Sequence, residues 1–116
     1  MRVETKQMVK SEWGEFCNVI GVNPRNRILE FLIETKGVDF TIGDIAREIG
    51  LNRATTYNTI EELIKEGYII LTRKVSGAQL YKLNTEKNEV KVLIETFNLV
   101  LKRIVEESQI KQRVRI

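Results

Sequence analysis

The stretch from Thr41 to Tyr68 constrains this chain most, because it holds two helix signals separated by only enough residues for a tight turn. Thr41 suits an N-cap, and Asp44, three positions on, sets a carboxylate beside the free amides of a first turn. Ile42, Ile45, Ala46 and Ile49 line one side of that helix. Gly50 stops it, since glycine takes the left-handed C-cap conformation without steric cost. Leu51 is an apolar plug in the turn, and Asn52 caps a second helix that ends at Gly67.

The second helix has two faces of different chemistry. Thr56, Ile60, Leu63 and Ile64 recur at helical spacing and are expected to face the core. Arg53, Ala54, Tyr57, Asn58 and Glu61 fall on the other side. Their groups suit DNA: arginine pairs with guanine or phosphate, asparagine with adenine, and alanine or the Thr55 methyl with a thymine methyl. The spacing is that of a helix-turn-helix, whose second helix enters the major groove.

After the Gly67 stop, Tyr68 to Lys74 is rich in β-branched and aromatic residues, Val75 to Gln79 is a turn cluster around Gly77, and Leu80 to Asn84 is a second short strand. A hairpin directly after a helix-turn-helix is a wing, here carrying Arg73, Lys74 and Lys82. The expected fold is therefore mainly α with a small β-hairpin wing (α+β), a winged helix-turn-helix with flanking N- and C-terminal helices.

The run from Ile45 to Ile69 resembles the core of prokaryotic winged-helix transcription regulators of the MarR and ArsR type. In that pattern an Ala and a Gly mark the first helix and turn. A Ser/Asn-Arg-x-Thr segment, here Asn52 to Thr55, opens the recognition helix; a Leu pair follows, and a Gly closes before the wing. The resemblance covers roughly residues 24 to 84. The paired cysteines or histidines of the metal-sensing members are absent from the sequence.

On either side lie two further amphipathic stretches. Met8, Val9, Trp13, Phe16, Cys17 and Ile20 fit one helix ended by Gly21, with Gly14 weakening its middle. Asn23 and Pro24 open the next helix, whose wide apolar face (Ile28, Leu29, Phe31, Leu32, Ile33) belongs to a central element. Arg25 and Arg27 sit in its first turn, unfavourably for the helix dipole, and are candidates for phosphate contact. Val38 to Phe40 reads as a short strand pairing with the wing. Past the wing, Val90, Ile94, Phe97, Leu101 and Ile104 step four, three, four, three, which is a heptad seam expected to dimerise. The alternative is that this helix folds back onto the N-terminal one. The expected divisions are residues 1–22 (N-terminal helix), 23–84 (winged domain), 85–110 (dimerisation helix) and 111–116 (basic, frayed tail).

With 116 residues the chain is expected to form one domain, and a net charge of +3 permits nucleic-acid binding without requiring it. One cysteine and no bilayer-length apolar run point to a reducing cytoplasm and no membrane. With no histidine, no Cys-x-x-Cys pair and no glycine-rich phosphate loop, the expectation is no enzyme, no metal and no cofactor. Nothing in the sequence assigns a small-molecule effector. The functional expectation is a homodimeric regulator, most simply a repressor, that binds double-stranded DNA sequence-specifically on a pseudo-palindrome. The expected DNA contacts are Asn52, Arg53, Ala54, Thr55, Tyr57, Asn58, Arg73, Lys74, Lys82, Arg25 and Arg27. The alternative is a winged-helix protein-interaction module in a transcription or replication assembly.

Overall fold

The computed structural model describes residues 14–115, and side chains as far as residue 110. Five helices and a two-stranded hairpin follow in the order α1 (Glu15–Ile20), α2 (Pro24–Glu34), α3 (Ile42–Ile49), α4 (Arg53–Lys65), β1 (Ile69–Val75), β2 (Ala78–Leu83) and α5 (Asn88–Arg115). Met8, Val9 and Trp13, placed by pattern in an N-terminal helix, lie outside the described residues.

The central element is α2. Pro24 starts it, and the Asn23 carboxamide oxygen accepts from the Asn26 amide at 2.8 Å, satisfying one of the free N–H groups of the first turn. Its residues Ile28, Leu29, Leu32 and Ile33 join Phe16, Ile45, Ile49, Ile60, Leu63, Ile69, Leu83 and Val90 in one buried cluster. Every described element contributes to that cluster except the wing tip, so the three helices of the winged domain, the hairpin base and both flanking helices share one core.

Glu30, also on α2, is only 1 % exposed. Its carboxylate accepts the amides of Gly14 (3.0 Å) and Cys17 (3.3 Å), so an acid from α2 caps the start of α1. Gly14 itself is extended (φ −69°, ψ 173°) and stands as the N-cap. The extended backbone at Gly14 starts α1 there, and the Glu30 carboxylate fills the space that a side chain at position 14 would need.

Strands β1 and β2 pair antiparallel from Ile69 opposite Leu83 to Val75 opposite Ala78. Ser76 and Gly77 both have positive φ (50° and 82°), the mirror-image turn that matches strand twist. The register slips between Leu71 and Arg73, leaving Thr72 as a bulge. The strand expected at Val38 to Phe40 is reduced to one bridge: Phe40 and Tyr81 exchange backbone hydrogen bonds of 2.9 and 2.8 Å.

Helix α5 divides along its length. Val90 is fully buried, Ile94 packs on the core, and the Phe97 ring meets Phe16 edge-on with centroids 5.7 Å apart. These three were expected in a dimer seam. Within one protomer they pack on the core beside α1 and α2, Val90 completely and Ile94 and Phe97 in part. Beyond Val100 every described side chain is exposed, including Leu101 and Ile104. The helix runs on through Arg115, so the basic segment expected as a frayed tail is its continuation.

Candidate nucleic-acid interface

The interface is built on α3, the turn after it, and α4. The Thr41 hydroxyl oxygen accepts from the Asp44 amide at 3.0 Å, fixing the start of α3. Hydrogen bonding to Thr41, and then to Arg47, holds the Asp44 carboxyl below its ordinary value. Gly50 takes the left-handed conformation (φ 74°) that turns the chain. The Asn52 side-chain oxygen accepts from the Thr55 amide at 2.7 Å and starts α4. Thr56, Ile60 and Leu63 are completely buried, which pins the rotation of α4 about its own axis.

With that rotation set, Arg53, Ala54, Tyr57, Asn58 and Glu61 are all exposed, as their spacing requires. At 3.6 residues per turn, Ala54, Asn58, Glu61 and Lys65 form the ridge opposite the buried face. Arg53 and Tyr57 lie to one side. The Arg53 guanidinium sits over the Tyr57 ring at 5.7 Å and against Gly43, whose missing side chain leaves it room: a Cβ there would stand 3.3 Å from Nη2. Together with Gly77, Gln79 and Tyr81 of the wing they line an open recess of about 290 Å³ between α4 and the hairpin. The candidate surface is therefore a polar ridge with a cationic recess beside it.

The expected cations divide sharply. Lys74 is exposed on the wing, and Lys82 is half-buried at its base. Arg73 is turned back onto Asp39, donating from Nε at 3.0 Å and Nη2 at 3.2 Å to the two carboxylate oxygens. Thr72, the bulged residue, donates its hydroxyl to the same carboxylate at 2.5 Å. Hydrogen bonding from Arg73 first, and from Thr72 second, holds the Asp39 carboxyl at about 2. Arg73 thus clasps the wing to the loop before α3 through a largely exposed ion pair, its side chain 62 % exposed. Sequence reasoning missed Asp39 as its partner, because the pair is 34 positions apart.

Arg25 and Arg27 also have other work. Arg25 donates to Glu66 at 2.8 Å and lies over the Tyr68 ring at 4.7 Å, at the C-terminal end of α4. Arg27 has a side chain only 15 % exposed, with Nη1 3.6 Å from Glu30. Arg27 is thus largely buried, and Arg25 is paired at the end of α4 remote from Arg53. Arg47 is paired with Asp44.

Among the described residues no cluster of three or more His, Cys, Asp or Glu side chains could hold a metal ion, and no helix is long and apolar enough to cross a membrane. Cys17 is buried, and burial, with Glu30 beside it, pushes its thiol up to about 12.

Comparison with known proteins agrees with this geometry. Residues 24–79 match a family described as HTH domain. No curated protein matches the sequence. Among solved structures, MepR of Staphylococcus aureus, described as a transcription regulator of the multidrug efflux pump MepA, superposes with a TM-score of 0.60 at 16% identity, over 98% of this chain and 90% of MepR. The MepR–DNA complex gives 0.59 at 18% identity over 98% of this chain and 89% of that one. The adhesin competence repressor AdcR of Streptococcus pyogenes gives 0.57 at 14% identity over 79% of this chain and 66% of AdcR. At such identities the likeness establishes the fold: this chain has the winged helix-turn-helix architecture of these regulators.

Proposed function

Taking the helix-turn-helix domain over residues 24–79 as the premise, we propose that this chain is a cytoplasmic, sequence-specific double-stranded DNA-binding regulator, a repressor in its simplest form. It acts as a homodimer on a pseudo-palindromic site. The observation that carries the reading is the exposed ridge of α4, with Arg53 and Tyr57 in the recess beside it and Lys74 on the adjoining wing. That surface offers base-reading groups at its centre and cations at its margins. The likeness to MepR, which has been seen on DNA, and to a protein named a repressor supports it.

The homodimer reading is supported by α5. Its outer half exposes Leu99, Leu101, Ile104, Val105 and Ile110, and exposed apolar area on this scale in a small protein calls for a partner surface. A second copy aligned through α5 would present two recognition helices about one DNA turn, ~34 Å, apart.

One observation favours a protein-interaction module instead. Glu61 and Glu62 are exposed on α4, and Arg25, Arg27, Arg47 and Arg73 are all paired with acids, which leaves few cations for phosphate. Selection of duplexes from a random pool, followed by salt titration on the winner, separates the two. Enrichment of an inverted repeat, with affinity falling steeply as salt rises, is the expected result. Weak, sequence-indifferent binding would transfer the function to a protein partner.

A further inference from the structure

Glu61 stands at an unusual place for a carboxylate. It lies on the ridge of α4 that points directly away from the buried Thr56, Ile60 and Leu63, three residues past Asn58 and seven past Ala54. Those seven residues span roughly 10 Å of helix, the length of about three base-pair steps at ~3.4 Å each. Asp39, Asp44, Glu66 and Glu30 are paired with Arg73, Arg47, Arg25 and Arg27, whereas the exposed Glu48 and Glu62, like Glu61, have no salt-bridge partner among the described residues; of these three only Glu61 lies on the ridge with Ala54 and Asn58. Glu61 takes no cation among the described residues.

An exposed carboxylate on a groove-facing ridge repels the phosphates of every duplex equally. It becomes favourable only where a base offers it hydrogen-bond donors. In the major groove guanine presents two acceptors, thymine an acceptor and a methyl, and adenine an acceptor beside its donor. Cytosine alone presents its amino donor without a neighbouring acceptor of its own. The same group thus rewards one base and penalises the others, which is how specificity is built from a repulsive element.

We propose that Glu61 is a specificity determinant that accepts a hydrogen bond from the amino group of a cytosine at one position of each half-site; this rests on the DNA-binding reading above. Asn58, one turn earlier on the ridge, then reads a neighbouring position, where its amide fits adenine.

The test is site selection from a random duplex pool with the full chain and with Glu61→Ala, Glu61→Gln and Glu62→Gln. Residues 61 and 62 are both exposed, so all variants are expected to fold, as checked by circular dichroism. The expected result is a cytosine at one half-site position for the unaltered chain, with discrimination there falling roughly ten-fold or more in Glu61→Ala. Glu61→Gln should shift the preference to adenine, whose donor and acceptor an amide matches. Glu62→Gln removes a charge off the ridge, so it should strengthen binding to all duplexes and leave the base preference alone. A preference that survives both Glu61 variants overturns the proposal while leaving the DNA-binding reading intact. Failure of the unaltered chain to enrich any sequence overturns both.

Discussion

Arg53 and Asp39 show how one side chain's surroundings decide its task. Arg53 lies in the recess between α4 and the wing and has no salt-bridge partner among the described residues, whereas Asp39 is held by Arg73. Arg53→Ala should weaken operator binding by about 1–3 kcal/mol. Loss of preference at one base pair would identify a guanine contact. Uniform weakening with a salt slope shallower by about one would identify a phosphate contact; unchanged affinity would remove Arg53 from the interface. Asp39 titrates at about 2 in the folded chain against 3.8 ordinarily. Between those values the unfolded chain binds more protons, so the stability the clasp contributes is complete above about pH 4 and is lost as pH falls towards 2. Thermal melts of the unaltered chain and Asp39→Asn should differ most near neutral pH and converge near pH 2. A gap that persists at pH 2 would mean that the charge is not what Asp39 contributes. Cys17, fully buried with its thiol at about 12, should resist alkylation at pH 8 until the chain unfolds.

Among elements, α4 depends on its cap and the wing on its clasp. Asn52→Ala leaves the Thr55 amide without its partner and should cost about 0.5–2 kcal/mol by denaturant titration. The caps at Asn23, Thr41 and Asn52, the stop at Gly50 and the Ser76–Gly77 turn were all legible in the residues, because each is a local event closed within four positions. The buried and exposed faces of α4 were legible for the same reason: period fixes face once a helix has one apolar side. The Val38 to Phe40 strand was not, since whether an extended segment pairs along its length or at one residue depends on the edge it meets, here only Tyr81.

At the scale of the molecule, α5 joins two functions in one helix. Its first half completes the core through Val90, Ile94 and Phe97; its second half leaves the body with Leu101 and Ile104 exposed. Two substitutions should therefore behave oppositely. Val90→Ala removes buried methyl volume and should lower unfolding free energy by about 2 kcal/mol, at ~0.8 per buried methylene plus the cavity left. The pair Leu101→Glu and Ile104→Glu should leave the fold intact by circular dichroism and shift sedimentation to a monomer, with operator affinity falling as the second half-site is lost. If that double variant sediments like the unaltered chain, dimerisation through the outer part of α5 is wrong.

From the sequence alone come the winged helix-turn-helix, its boundaries near the capping residues, and the set of side chains that α4 turns outward. All of these rest on hydrogen bonds and periodicities within a few residues of one another. The tertiary structure alone decided which cations are paired with acids. Arg25 meets Glu66, Arg27 is buried against Glu30 and Arg73 meets Asp39. It also decided that three of the five seam positions, Val90, Ile94 and Phe97, pack on the protomer's own core. A repeating apolar pattern specifies that a face will be buried, not what will bury it, and an arginine's charge is answered by whichever acid the fold brings within reach. Two of those three acids lie more than 30 positions away along the chain, and only folding puts them there.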